Sequence, residues 1–372
     1  MMIAGEASGD LHGSGVVRAL REKRPGVEVF GIGGDNMKRE GMELVYHSSS
    51  LAFMGFAEVV RNLGTVLRVE RTMEALLDAR RPDVLVLVDY PGFNLRFARK
   101  ARRRGIRVLY YISPQVWAWN KGRVKKMRRL VDRMKVVFPF EVDIYRKEGI
   151  DVEFVGHPIA ERIGASLGRD AFFARNGLDP ARKLIGLLPG SRQQEIERIF
   201  PVMLEAAADL CRRRPVQVAV GVAPNLGPAV LRAHIPAGAA VTLIEDATYD
   251  LMMHADVAMV TSGTATLETG WFGTPMVVVY KTSPVSFFIG RLLVDVPYIG
   301  LVNIVAGQKV VPELLQSEMT KENLLKTLGD LLDDPARADA MRRDLAVIRT
   351  RLGNPGASAR VADGIIALGE AA

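Results

Sequence analysis

The chain has 372 residues, of which 48% are hydrophobic and 25% charged, which is typical of a globular protein long enough for two domains. Fifty Lys and Arg against 42 Asp and Glu give a formal net charge of +8, which favours anionic partners such as phosphorylated substrates, acidic lipids or nucleic acid. A single cysteine, Cys211, excludes an internal disulfide framework and suits a reducing cytosol. No apolar run is long enough to span a bilayer. No basic-then-apolar segment predicts a secretory signal.

Short apolar runs alternate with helical patterns through both halves of the chain, which predicts parallel sheets covered on both faces. We therefore predict two doubly wound Rossmann-like α/β domains, residues 1–158 and 159–354, that face a cleft at the carboxyl ends of their strands. Residues 355–372 form a last helix that belongs to the second domain or crosses back to the first. The predicted strands include Val27–Gly31, Val84–Asp89, Val108–Ile112, Met134–Phe138, Leu184–Leu188, Val216–Val220, Ala240–Ile244, Val257–Thr261 and Met276–Tyr280.

The first strand leads into a turn of small and acidic residues, Gly5-Glu6-Ala7-Ser8-Gly9-Asp10, before a predicted helix. A glycine-rich turn of this kind permits close approach of a ligand to the backbone. Because Glu6 and Asp10 would repel an anion, we expect sugar hydroxyls here. The alternative is a structural turn with Asp10 in the first turn of the helix.

A broad apolar stripe runs along the helical pattern from Phe56 to Leu77, with Arg61 and Arg68 on the other side. Such a stripe suits an amphipathic helix at a bilayer surface. The alternative is a helix that packs on its own sheet.

Asp89 ends the most apolar strand of the first half and precedes Tyr90-Pro91-Gly92. A carboxylate in this position is a candidate general base, because an apolar surrounding raises its pKa. The alternatives are a turn or N-cap aspartate, and Asn94 has a similar capping alternative.

Two tryptophans, Trp117 and Trp119, lie two residues apart in a loop and precede the basic run Lys121–Arg129. Aromatic rings beside cations can stack on a sugar or base, or lie at a lipid interface. The alternative is a helix with a solvated basic face and one buried Trp.

Two segments of the second half share one layout, an apolar strand, a small-residue turn and a helix that carries a Glu. The first turn is Gly190-Ser191-Arg192 and the second is Ser262-Gly263-Thr264. Helix N-termini bind phosphate through free N–H groups, so two such turns predict a nucleotide diphosphate site. Arg192 suits the diphosphate, with capping as its alternative, and Glu268 suits the ribose hydroxyls.

No motif predicts a metal site or a cofactor, so helix N-termini and Arg192 would stabilise the diphosphate without a cation. His254-Ala255-Asp256 is the weak exception, and its place before a strand indicates a structural role. The basic residues are scattered without an aromatic platform, so we expect no nucleic-acid partner.

Seven motifs in order resemble one family, the lipid-A-disaccharide synthases, over nearly the whole chain. They are Ala4–Asp10, Met54–Val59, Asp89–Asn94, Ser113–Arg123, Gly156–Pro158, Leu187–Ile196 and Ser262–Glu268. The resemblance implies a metal-independent inverting glycosyltransferase of GT-B fold. It would join UDP-2,3-diacylglucosamine to 2,3-diacylglucosamine 1-phosphate (lipid X), giving a β-1,6-linked tetraacyl disaccharide 1-phosphate and UDP in lipid A synthesis, hence in lipopolysaccharide synthesis. It also implies a peripheral protein at the anionic cytoplasmic face of the inner membrane.

The resemblance assigns roles to single residues. Asp89 becomes the base for the acceptor 6-hydroxyl, Glu6 a second catalytic-site residue, Arg192 the diphosphate ligand and Glu268 the ribose ligand. Asn303 matches a nucleotide-site asparagine of the family, although Val302 replaces the usual proline beside it.

Two other functions remain open from the residues alone. One is another UDP-N-acetylglucosamine enzyme of the same fold, such as a 2-epimerase or a peptidoglycan-type transferase. The other is a non-catalytic basic protein that docks on membranes or nucleic acid. Neither the oligomeric state nor the preferred acyl-chain length follows from the sequence.

Overall fold

The computed structural model describes residues 1–50, 63–117, 122–284, 287–288 and 296–371. The chain forms two compact units, one of Met1–Glu161 with Leu352–Ala372 and one of Arg162–Arg351. Each unit contains a parallel β-sheet whose strands are connected mostly through helices. The predicted fold class, α/β with two doubly wound Rossmann-like domains, is confirmed.

The sheet of the first unit has a reversal of strand order at its centre. Its strands run parallel in the order β3-β2-β1-β4-β5-β6-β7, and Ala4 pairs with Val88 where the two halves meet. These strands are Met2–Ala4 (β1), Phe30–Gly33 (β2), Glu43–His47 (β3), Val84–Val88 (β4), Arg107–Tyr111 (β5), Arg133–Val136 (β6) and Val152–Phe154 (β7). The carboxyl ends of β1 and β4 therefore flank a topological switch point, where doubly wound sheets bind ligands.

The sheet of the second unit repeats this arrangement, with the order β10-β9-β8-β11-β12-β13 and Leu188 paired with Val260 at the reversal. Its strands are Lys183–Leu188 (β8), Val216–Gly221 (β9), Val241–Ile244 (β10), Val257–Thr261 (β11), Met276–Tyr280 (β12) and Glu313–Leu315 (β13). The two turns that we predicted to bind phosphate follow β8 and β11, so they flank the switch point of this sheet.

Helices connect most of the strands. They are Ala7–Lys23 (α1), Asp35–Arg39 (α2), Leu63–Arg80 (α3), Pro91–Arg102 (α4), Arg123–Met127 (α5), Glu141–Arg146 (α6), Arg169–Arg175 (α7), Gln193–Arg213 (α8), Pro228–Arg232 (α9), Thr248–His254 (α10), Thr264–Phe272 (α11), Leu301–Ala306 (α12), Lys321–Asp333 (α13), Pro335–Leu352 (α14) and Ala357–Glu370 (α15). Single 3₁₀ turns cover Ser48–Ser50, Pro158–Glu161 and Gln316–Glu318. No helix among the described residues is both long and apolar enough to cross a membrane.

Sequence patterns missed three strands, β3, β7 and β13. All three are edge strands with partly exposed side chains, in contrast to the fully buried β4 and β11. An edge strand has a neighbouring strand on one side only, so its side chains are less completely covered. It therefore does not need a continuous run of apolar residues.

The last helix, α15, packs on α1 within the first unit. Ser358 at its start donates to Glu161 through both its amide (2.7 Å) and its hydroxyl (2.6 Å). Lys23 of α1 pairs with Asp363 at 2.7 Å. The sequence left open whether this helix belongs to the second domain or crosses back to the first. In the structure it crosses back to the first unit.

Helices α3 and α4 are joined by a ladder of ion pairs. Arg96 pairs with Glu70 at 2.7 Å, and Arg104 pairs with Asp78 at 2.7 Å and with Glu74 at 3.2 Å. Arg104, which belongs to a run of basic residues at 99–104, is therefore neutralised within the unit.

The described part of the predicted amphipathic helix packs on the sheet. Val66, Val69, Met73 and Leu77 of α3 are buried in the core of the first unit, whereas Leu67 is 41% exposed. The alternative of a helix that covers its own sheet fits these residues. The part before residue 63, which includes the Met54–Val59 motif, lies outside the described residues.

Candidate active site

The turn after β1 places its two acidic side chains in different environments. Glu6 is exposed and is the residue before α1, with φ −135°. Asp10 is buried, and its carboxylate accepts hydrogen bonds from the amides of Gly34 (2.7 Å) and Met37 (3.0 Å) at the start of α2. Of the pair predicted to meet sugar hydroxyls, only Glu6 is available to a ligand, because Asp10 caps a neighbouring helix.

Asp89 directly follows β4 in a strained turn. Both Asp89 (φ 45°) and Tyr90 (φ 47°) have left-handed backbone, which is costly for residues with a Cβ and is common at functional sites. The Asp89 carbonyl accepts hydrogen bonds from Asn94 Nδ2 and from the Tyr110 hydroxyl, both at 2.6 Å. Asn94 thus holds the turn from within α4, and the backbone of Asp89 is fixed.

Tyr90 connects this turn to the one after β1. A Cβ on Gly5 would lie 2.3 Å from the Tyr90 ring, so the ring packs directly on the Gly5 backbone. This contact requires glycine at residue 5. The two turns that flank the switch point therefore pack against each other.

The environment of Asp89 suits a base that works near neutral pH. The pKa of Asp89 is raised to about 6, mainly by burial and also by the nearby Glu6 carboxylate, although a hydrogen bond from the Tyr90 amide lowers it. A carboxylate with this pKa is ionised at neutral pH and is a stronger proton acceptor than an ordinary aspartate. The sequence predicted both the position and the direction of this shift.

The loop after β5 is anchored on a buried glutamate that the sequence did not single out. Ser113 Oγ donates to Glu141 Oε1 at 2.9 Å and lies 2.7 Å from the Tyr145 hydroxyl. The other oxygen of Glu141 accepts the amide of Phe138 at 3.1 Å, and burial raises the pKa of Glu141 to about 7. A lone Glu after an aromatic run gave no sequence signal, because its side-chain partner Ser113 lies 28 residues away in another segment.

Only part of the tryptophan loop lies within the described residues. Trp117 is half-buried, with its ring 5.5 Å from that of Phe140, while Trp119 and Lys121 lie outside the described residues. Four basic side chains of the run are exposed along and just after α5, at Lys125, Lys126, Arg128 and Arg129.

His157 of the Gly156–Pro158 motif is a buried, neutral histidine. Burial lowers its pKa to about 3, and its Nδ1 accepts the Ile159 amide at 3.2 Å. Gly156 has φ +82°, which favours glycine. The His157 ring packs on Phe138. The motif therefore has a structural role near Glu161, where the first chain segment of this unit ends.

In the second unit, the turn after β8 is folded around one carboxylate. Gly190 has φ +112°, and Glu195 Oε2 accepts the Ser191 amide at 3.2 Å while its Oε1 accepts Arg192 Nη1 at 2.9 Å. The Arg192 side chain is 64% exposed. An amide and a guanidinium already arranged around an anionic group are the ligands that a phosphate takes.

The turn after β11 supplies the facing wall. Gly263 precedes α11, Thr264 begins it and is exposed, and the Ser262 hydroxyl donates to the Ile299 carbonyl at 2.9 Å. Ser262 therefore offers its backbone more readily than its hydroxyl. Glu268, one turn into α11, accepts the Tyr249 hydroxyl at 3.1 Å, and burial raises the pKa of Glu268.

These two turns enclose a cavity of about 300 Å³. The volume is at the lower end for a small-molecule site. Seven of the residues predicted to bind the nucleotide line it, namely Gly190, Ser191, Arg192, Ser262, Gly263, Thr264 and Glu268. Thr261 also lines it, and among the described residues its buried hydroxyl has no hydrogen-bond partner.

Asn303 has a structural place instead. Its side chain is fully buried, its Oδ1 accepts the amides of Val310 (2.8 Å) and Val311 (3.0 Å), and its Nδ2 donates to Glu313 at 2.8 Å. It does not line the cavity. In this structure the amide holds the loop between α12 and β13, and a nucleotide contact of Asn303 stays a prediction.

No three His, Cys, Asp or Glu side chains cluster as metal ligands anywhere in the described part of the chain. His254 and Asp256, the weak candidates, serve the fold. His254 Nε2 lies 2.8 Å from the Leu167 carbonyl, and Asp256 Oδ2 accepts the Leu184 amide at 2.7 Å.

Comparison with known proteins gives a consistent result. The family model described as lipid-A-disaccharide synthetase matches residues 1–359. A lipid-A-disaccharide synthase of Geobacter sulfurreducens is 47% identical over 364 residues, which is 97% of this chain and 95% of the relative.

Solved structures with much lower identity share the fold. A UDP-GlcNAc 2-epimerase from Neisseria meningitidis bound to UDP-GlcNAc has a TM-score of 0.64 at 13% identity, covering 96% of this chain and 97% of that one. MurG from Acinetobacter baumannii has a TM-score of 0.60 at 15% identity, covering 99% and 98%. At such identities the likeness indicates a common GT-B-type architecture and nothing about the reaction.

Proposed function

The chain belongs to the lipid-A-disaccharide synthetase family, and we propose that its two strand-end sites each carry out one half of a glycosyl transfer. As a member of that family it is a glycosyltransferase of lipid A biosynthesis that forms a disaccharide. The second unit would hold the UDP of the donor, UDP-2,3-diacylglucosamine. The first would activate the acceptor, lipid X.

The donor half rests on the cavity between the turns after β8 and β11. Breaking the bond between the sugar C1 and the diphosphate leaves negative charge on UDP. Fixed amides at Ser191 and Gly263, together with the Arg192 guanidinium, would stabilise that charge by about 3–4 kcal/mol for each well-placed donor. Glu268 would accept the ribose hydroxyls. No cation is needed in this scheme.

The acceptor half rests on Asp89, and its half-buried carboxylate on a fixed backbone turn is the single observation that carries the proposal. In the reaction, Asp89 takes the proton of the lipid X 6-hydroxyl while that oxygen attacks C1 of the donor sugar. The C1–O bond to UDP breaks, and the new β-1,6 bond forms with inversion. Glu6 supports the base by raising its pKa, and as an exposed carboxylate it can also accept a sugar hydroxyl.

The substrate pair is tested by an assay of purified full-length protein. UDP-2,3-diacylglucosamine and lipid X should give a tetraacyl disaccharide 1-phosphate and UDP in equal amounts. Turnover of only non-acylated UDP-N-acetylglucosamine would contradict the proposal and support an epimerase or peptidoglycan-type enzyme. Family membership over almost the whole chain favours the lipid substrates over both alternatives.

We further propose that the protein works at the anionic cytoplasmic face of the inner membrane, because its substrates are lipids. The exposed cations along and just after α5, which follow Trp117 in the sequence, are suited to acidic head groups. Each cation near an anionic surface contributes about 1 kcal/mol to membrane binding. Co-sedimentation with anionic vesicles should decrease as salt rises, and equal binding to neutral vesicles would contradict an electrostatic contact.

A further inference from the structure

Tyr249 contacts the acidic residue of the cavity from outside the cavity wall. Glu268 lines the cavity, whereas Tyr249 on α10 does not, and its hydroxyl donates to Glu268 Oε1 at 3.1 Å. Among the described residues no other hydrogen bond reaches this carboxylate. One oxygen of Glu268 is thus fixed by the protein, and Oε2 remains for a ligand in the cavity.

The position of Tyr249 is itself fixed. Its ring packs 6.2 Å from that of Phe272, which lies one turn beyond Glu268 on the same helix, α11. The next residue, Asp250, accepts the Leu167 amide at 2.6 Å, and His254 at the end of α10 lies 2.8 Å from the Leu167 carbonyl. A phenol held in this way gives the carboxylate one orientation.

Tyr249 also influences the charge of Glu268. Burial raises the pKa of Glu268, while the Tyr249 hydrogen bond and the positive charge of Arg162 lower it. Only the ionised carboxylate accepts hydrogen bonds at both oxygens, and each such charged bond is strong. Without the phenol, Glu268 would bind a proton more readily and would be a weaker acceptor.

We propose that Tyr249 is a positioning residue that holds the Glu268 carboxylate for the vicinal hydroxyls of a nucleotide ribose and so gives the cavity its preference for ribonucleotides. This inference rests on the proposed function, since it assumes that a uridine nucleotide occupies the cavity. It adds a residue to the site that lies behind the cavity wall and that no motif of the sequence indicated.

The test compares UDP with 2′,3′-dideoxy-UDP, which lacks both hydroxyls, by calorimetric titration of the full-length protein. Wild-type protein should bind UDP about 10-fold more tightly than the dideoxy compound, the effect of a hydrogen bond to a charged group. Tyr249→Phe should weaken UDP binding about 5-fold and leave dideoxy-UDP binding unchanged. Its loss of UDP affinity should grow as the pH falls, which a purely structural role would not produce.

Tyr46→Phe is the matched control, because it removes an equally long hydroxyl bond, 3.1 Å to Thr72, in the first unit. It should change neither affinity. Equal weakening of both ligands by Tyr249→Phe would overturn the inference and leave the proposed function standing. Equal binding of both ligands by the wild type would overturn the inference and also remove Glu268 as the ribose ligand, while the proposed glycosyl transfer would still stand. Failure of wild-type protein to bind UDP at all would overturn both.

Discussion

Arg192 and Glu195 form a salt bridge of 2.9 Å inside the turn that follows β8. The same carboxylate accepts the Ser191 amide at 3.2 Å, and a Cβ on Gly190 would lie 2.5 Å from it. The turn is therefore shaped around an anion that the chain itself supplies. A diphosphate entering the cavity would meet the same guanidinium and the same amide, with more negative charge than a carboxylate.

Arg192→Ala should weaken UDP binding by about 10- to 100-fold, because the lost contact is a charged one. Binding of uridine, which has no phosphate, should stay the same, and calorimetry with both ligands measures the difference. Arg198→Ala on the exposed face of α8 is the matched control. Unchanged UDP affinity in Arg192→Ala would show that the diphosphate lies elsewhere.

Asp89→Asn should lower turnover by at least about 100-fold, because an amide cannot take the proton of the acceptor hydroxyl. UDP affinity should be preserved, since the substituted residue lies in the other unit. Steady-state kinetics with both lipid substrates, together with UDP titration, separates the two effects. Asp83→Asn, at the opposite end of β4, serves as the control, and near-normal turnover of Asp89→Asn would remove Asp89 from the role of base.

The pH dependence of kcat/KM should show an acid limb near pH 6, with activity rising as Asp89 loses its proton. Removing a neighbouring negative charge makes the carboxylate easier to ionise, so Glu6→Gln should lower the pKa of Asp89 and move this limb to lower pH. Glu22→Gln, exposed on α1, the helix that follows Glu6, should not move it. A limb that stays in place in Glu6→Gln would contradict the coupling between the two carboxylates.

Chelation should leave UDP binding and turnover unchanged, because we expect amides and Arg192 to hold the diphosphate without a cation. The measurement is a titration of UDP and an activity assay after extensive dialysis against EDTA. Loss of activity that Mg²⁺ restores would refute a cation-free site, and the leaving group would then need a metal ligand that the scheme lacks.

The sequence by itself determined the features that depend on local patterns. Buried strands such as β4 and β11 have continuous apolar runs, and the turns at residues 190–192 and 262–264 are built from adjacent residues whose backbone chemistry is local. The apolar run of β4 also showed that Asp89 lies at the end of its strand and in an apolar surrounding. The order of motifs along the chain was enough to indicate the family.

Only the tertiary structure decided which of several suitable side chains is available to a ligand. Asp10 and Asn303 have suitable side chains, but both are hydrogen-bonded within the protein. Asp10 accepts the amide of Gly34, which is distant in sequence, and Asn303 accepts the amide of Val310 in the loop that follows its own helix. Tyr249 became relevant because packing brings α10 against α11. The partners of a side chain depend on long-range contacts between elements, and no local pattern of residues encodes them.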